Sequence, residues 1–179
     1  ARDDAAGLAI ATRMSSEIRG SEVAKRNTND GISALQIADG ALSSMTDGVQ
    51  RMRELAVQAA TGTLTTDDRA NLLAEFDALG AQLTDIATDT KFNGVDLLSG
   101  TPANLAIQTG ANSGDTTTVT LVNGSTIATA VDGADISTAA AAATALTTID
   151  AQLTALNTGR ATIGAGINRL DAVVSNLDT

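Results

Sequence analysis

The chain has no cysteine, histidine, tryptophan or tyrosine, one proline and only two phenylalanines in 179 residues. Without cysteine there is no disulfide and no thiolate nucleophile. Without histidine there is no imidazole base, and with both missing the usual soft metal ligands are gone. The hydrophobic content of 43% is therefore carried by Ala, Leu, Ile and Val, with Phe76 and Phe92 as the aromatic exceptions. Such side chains suit slender helix seams better than a thick core. Basic residues are also scarce, 11 against 21 acidic, for a formal net charge of -10. Residues 1–60 are nearly balanced, and almost all of the excess lies beyond them. That is a poor footprint for nucleic acid or an anionic bilayer, so neither nucleic-acid binding nor membrane insertion is expected. No signal-peptide pattern opens the chain, and no apolar run reaches membrane length. Ala1-Arg2-Asp3-Asp4 reads as the middle of something, so a trimmed or processed piece is expected.

What is present is heptad spacing. Leu146, Ile149, Leu153, Leu156, Ile163, Ile167, Leu170, Val174 and Leu177 alternate steps of three and four, with Arg160 at the one seam position that is not apolar. On a helix this draws a narrow stripe, the seam of a coiled coil, and it demands partner helices of similar length. Leu35, Ala38, Leu42, Met45, Val49, Met52, Ala56 and Ala59 form a second seam, extended upstream by Leu8, Ala11, Met14 and Ile18. Asn27-Thr28-Asn29-Asp30-Gly31 disfavours a helix interior. The pattern nevertheless predicts one helix running through it. Thr65 and Asp68 are spaced as a capping box for a further helix carrying Leu72, Phe76, Leu79, Leu83 and Ile86.

Asn93-Gly94 is a hairpin signal, followed by candidate strands Val95–Leu98, Leu105–Gln108 and Thr117–Val122 and by a second turn at Asn123-Gly124. From Ser125 to Asp135 the pattern is weak. Asp135 or Ser137 is expected to cap the last helix. The order is long helix, shorter helix, small β region, long helix.

Catalysis has little to work with. Asp3-Asp4 and Asp67-Asp68 fall at helix starts, where acidic residues stabilise the dipole. Asn27–Gly31 fails calcium-loop spacing, and Gly164-Ala165-Gly166 lacks the strand and third glycine of a dinucleotide turn. Asn123-Gly124-Ser125 matches a glycosylation sequon but reads first as a turn. No cofactor is expected. Arg51, Arg53 and Glu54 read first as a solvated charged face. Arg51, Leu55 and Gln58 share one helix face, with Leu55 either wrapped by a third helix or exposed as a contact residue.

Several longer stretches resemble bacterial flagellin. They are Asp3–Ile10, Arg26–Ser33, Val49–Gln58, Lys91–Val95, Ile107–Asn112 and Gly164–Leu170, in order along nearly the whole chain. The resemblance is to the inner rod domain of a short flagellin without outer variable domains or terminal inner-tube segments. It implies an exported, extracellular structural subunit of the flagellar filament, not an enzyme. Its partners would be other flagellin subunits in a homopolymer and an export chaperone for the full-length chain. It also implies recognition by a Toll-like innate receptor through Gln50, Arg51, Leu55 and Gln58, with Glu75 facing them. Ala78 and Leu79 depart from the polar or basic residues usual in recognised flagellins. By itself the fragment is expected to fold as a monomer that forms no filament.

Together these readings predict a mainly α fold with a small β region: an elongated antiparallel coiled-coil-like bundle of three long helices plus a β-hairpin segment. One rod domain would span 1–179, with helices over 3–60, 66–89 and 137–178 and the β region over 92–123. Rival readings are an exported adhesin or filament-associated binding protein, and a hydrolase appended to the rod, for which no insert leaves room.

Overall fold

The computed structural model describes residues 5–100 and 104–178. Asp3-Asp4 lies outside the described residues. The elements run α1 (Ala5–Ala59), α2 (Thr66–Asp89), β1 (Lys91–Phe92), β2 (Val95–Asp96), β3 (Asn104–Gln108), β4 (Thr116–Thr120), α3 (Gly124–Asp132) and α4 (Ala139–Leu177). The fold is mainly helical, with four helices and small antiparallel strand pairs among the described residues.

α1 is unbroken across Asn27–Gly31. At about 1.5 Å per residue its 55 residues extend roughly 80 Å. Tertiary contacts outweigh local propensity there. Thr28 is fully buried and donates its hydroxyl to the Ala24 carbonyl at 2.7 Å. Gly31 is the floor on which Ile107 of β3 sits, so close that a Cβ would stand 2.2 Å from Ile107 Cδ1. The residue that looks like a helix breaker is thus the one that admits the sheet.

α4 packs along α1, and three ion pairs fix their direction. Lys25 meets Asp178, Asp39 meets Arg160 (2.9 Å) and Arg53 meets Asp150 (2.7 Å). As numbers rise on α1 they fall on α4, so the two helices are antiparallel. Leu35, Leu42 and Val49 of α1 and Ile149, Leu156, Ile163 and Leu170 of α4 are all fully buried. The pairing ends where α4 ends. Beyond it, Leu8, Met14 and Ile18 of α1 are 70%, 55% and 60% exposed.

The fully buried line on α4 differs in part from the expected seam. It runs Ala142, Ala145, Ile149, Leu156, Gly159, Ile163, Gly166 and Leu170, while Leu146, Leu153, Arg160 and Ile167 lie half-buried at its edge. The two glycines explain the shift. Val122 packs on Gly159 and Val119 on Gly166, with Val carbons 2.7 and 2.9 Å from where each Cβ would be. β3 and β4 pair antiparallel, Leu105 with Val119 and Ile107 with Thr117. Their inward side chains lie over α1 through β3 and over α4 through β4.

α2 turns back beside α1. Its capping box is formed: the Asp68 amide donates to Thr65 Oγ1 at 3.2 Å and the Thr65 amide to Asp68 Oδ2 at 3.1 Å. Arg69 completes the corner by donating to the carbonyls of Ala59, Leu64 and Thr61 at 2.7–3.0 Å. Ala59 is the last residue of α1, where carbonyls lack helical partners.

Three expectations need correction. The β region is two separate strand pairs rather than one hairpin segment, β1 with β2 and β3 with β4. Asn123-Gly124 is a helix start rather than a turn: Asn123 Oδ1 accepts from the Thr126 amide at 3.0 Å and caps α3. α4 is capped by Thr138, whose hydroxyl accepts from the Ala141 amide at 3.1 Å, while Asp135 instead accepts from the Ser137 amide at 2.7 Å. α3 packs against both α2 and α4 and closes the bundle at that end.

Candidate functional site

Burial of one side of α1 leaves another face for other uses, and Gln50, Arg51 and Gln58 lie on it, exposed. α2 brings Glu75 opposite. The Arg51 guanidinium donates to Glu75 Oε1 from Nε at 2.9 Å and from Nη2 at 2.7 Å, and from Nη1 to Glu54 Oε2 at 2.9 Å. The Glu75 hydrogen bonds, followed by the one to Glu54, hold the Arg51 pKa above its ordinary value. This cluster is a hydrogen-bonded charged surface joining two helices.

Leu55 is not part of that surface. It is only 1% exposed and belongs to the core. Of the two readings of Leu55, the structure therefore takes the wrapped one, and the residue supports the charged face from below. Ala78 is exposed and Leu79 half-buried.

Sequence spacing could not bring Glu75 to Arg51, nor Asp150 to Arg53, since each pair spans different helices. Arg53 donates to Asp150 at 2.7 Å, and Arg160 to Asp39 at 2.9 Å. Arg160 was visible as the odd residue of its seam; its partner was not. Lys25, Asp39 and Arg53 recur every two heptads along α1, and that regularity could have marked the edge that faces another helix.

The Arg53 hydrogen bond holds the Asp150 carboxyl below its ordinary range, and the Thr65 hydroxyl and amide do the same for Asp68. A carboxylate whose folded pKa is depressed favours the folded state above its unfolded pKa. That contribution is lost as pH falls through the folded value. Urea midpoints should therefore decline on the acid side of the ordinary aspartate range, and Asp150→Asn should flatten part of that decline.

No nucleophile and base are paired on this face. Among the described residues no group of three acidic side chains is placed to hold a metal ion. No helix of the described residues is long and apolar enough to cross a membrane.

The family model described as "Bacterial flagellin N-terminal helical region" matches residues 1–103. A flagellin of Halalkalibacterium halodurans is 44% identical over 180 residues, covering 99% of this chain and 66% of the relative. The chain belongs to the flagellin family. A Listeria innocua flagellin is 37% identical over 193 residues, covering 98% of this chain and 67% of the relative. Among solved structures, Bacillus cereus flagellin superposes with a TM-score of 0.75 at 35% identity, over 85% of this chain and 88% of that one. The chain thus spans about two thirds of the length of these two flagellin relatives. The long paired helices and the strands bedded on their glycines are this flagellin chain's form of a fold shared with the Bacillus structure.

Proposed function

We propose that the chain is the rod part of a structural subunit of the extracellular bacterial flagellar filament, assembling non-covalently with copies of itself and serving motility rather than catalysis. Flagellin relatedness over 99% of the chain is the observation that carries this reading. The finer architecture belongs to the same proposal: an elongated antiparallel coiled-coil-like bundle of three long helices with β hairpins alongside, acting as one rod. A long, non-covalently zipped body can repeat a heterologous contact into an open helix. The full-length protein carrying this chain is expected to sediment as polymer after heating and slow cooling. A species that stays monomeric and binds a host or hook surface would favour the adhesin alternative.

The Arg51–Glu75 face supports a second proposal, recognition by a Toll-like innate receptor through Gln50, Arg51, Gln58 and Glu75. Support comes from their exposure and from the ion pair that fixes Arg51 in place. Leu55 contributes by holding the face in shape. Arg51→Ala should abolish signalling in a receptor reporter assay while leaving the thermal melt nearly unchanged, because an ion pair this exposed is screened by solvent and contributes little to stability. Unchanged signalling removes the proposal. The export-chaperone partner rests on the family resemblance alone.

A further inference from the structure

The chain carries two Asn-Gly steps, Asn93-Gly94 and Asn123-Gly124. Asn-Gly is the dipeptide most open to intramolecular attack on a carboxamide, because no Cβ on the second residue shields its backbone nitrogen. The fold places the two steps in opposite circumstances.

Asn93 and Gly94 are exposed at the tip of the β1–β2 hairpin, both with positive φ (49° and 78°). This is the two-residue turn that favours Asn-Gly. The Asn93 carboxamide has no hydrogen-bond partner among the described residues, and nothing lies within 4 Å of where a Gly94 Cβ would be. The ladder behind the turn is two residue pairs, Phe92 with Val95 and Lys91 with Asp96. So short a ladder opens at small free-energy cost, and the backbone can leave the turn geometry.

Asn123 is held at both ends of its carboxamide. Oδ1 accepts from the Thr126 amide and Nδ2 donates to the Gly100 carbonyl. Gly124 opens α3 and is buried against Leu98, Met45 and Ala87. Attack there requires unfolding the start of a helix.

We propose that Asn93 is a site of spontaneous deamidation, selected over Asn123 by the fold. The Gly94 backbone nitrogen attacks Asn93 Cγ. A C–N bond forms, the Cγ–Nδ2 bond breaks, and Nδ2 leaves as ammonia with the proton lost from Gly94. Solvent water then opens the five-membered imide. Opening at the side-chain carbonyl gives an ordinary aspartate in a normal backbone. Opening at the main-chain carbonyl gives isoaspartate, with the chain continuing through the former side chain. No electrons are exchanged. Either product adds a negative charge to a chain already at -10. The isoaspartate also inserts a methylene into the turn, which breaks the Phe92–Val95 pairing. Phe92, half-buried against the core, then loses its fixed position.

The test is incubation of the folded chain at mildly alkaline pH, followed by peptide mapping and by enzymatic methyl-labelling of isoaspartate. A parallel incubation in concentrated urea removes the fold. In the folded chain Asn93 should convert at least about tenfold faster than Asn123, as expected where one site opens locally and the other does not. In urea the two rates should converge. Equal rates in the folded chain overturn the proposal, as does an Asn93 that converts in urea but stays intact when folded.

Discussion

Phe76→Ala should remove about 3–5 kcal/mol of folding stability, the range for truncating a fully buried aromatic. Phe76 is the largest fully buried side chain of the molecule's described residues, at 0% exposure on the inner face of α2. α2 is also thinly supported by size: its fully buried positions are Phe76, Gly80, Leu83 and Ala87, two of which are small. The ring therefore carries much of the contact between α2 and its neighbours. A chemical denaturation series read by circular dichroism measures the loss. A cost below about 1 kcal/mol would mean that α2 does not pack as described.

The second large effect separates two glycines of one motif. Gly166 lies under Val119, both of whose methyl carbons stand 2.9 Å from the ideal Cβ position. Val119 is β-branched and held in a strand pair, so it has no free end to swing aside. Gly166→Val should cost about 1–3 kcal/mol by overpacking, outweighing the few tenths that valine contributes over glycine in a helix. Gly164 points away from that face and has nothing within 4 Å. Gly164→Ala should stabilise by about 0.5–1 kcal/mol, since only helix propensity changes. The two signs are read from the same denaturation assay. If both substitutions stabilise, the strand pair does not rest on α4.

These glycines also show how far the sequence could be read. The long helices α1 and α4 and the Thr65 capping box were legible because each signal is local, made of side chains a few residues apart. The small residues of Gly164-Ala165-Gly166 say locally only that a neighbour has room to approach. Which neighbour, a strand rather than a helix, depends on a contact from a distant part of the chain. The displacement of the buried line toward Gly159 and Gly166 has the same origin. α3 was missed for a different reason. Gly124, Ile127, Ala128 and Val131 are spaced for a helix face and are all buried. Reading Asn123-Gly124 as a turn hid that spacing, although Asn is as good a helix cap as a turn former. At the charged face, Arg51 and Gln58 could be placed on one side of α1 from spacing alone. The burial of Leu55 and the bond from Arg51 to Glu75 required knowing where α2 lies.

The account depends most on α1 and α4 lying side by side in opposite directions and in one register. The chain's two lysines, Lys25 and Lys91, make that testable with a zero-length carbodiimide, which joins an amine to a carboxylate only where they already touch. Lys91 should couple to Asp96 across its hairpin, at 2.9 Å, as an internal reference. Lys25 should couple within the same molecule to Asp178, near the far end of the sequence. A Lys25 that couples only to carboxylates of its own helix, or only between molecules, would contradict the antiparallel pairing and the rod built on it.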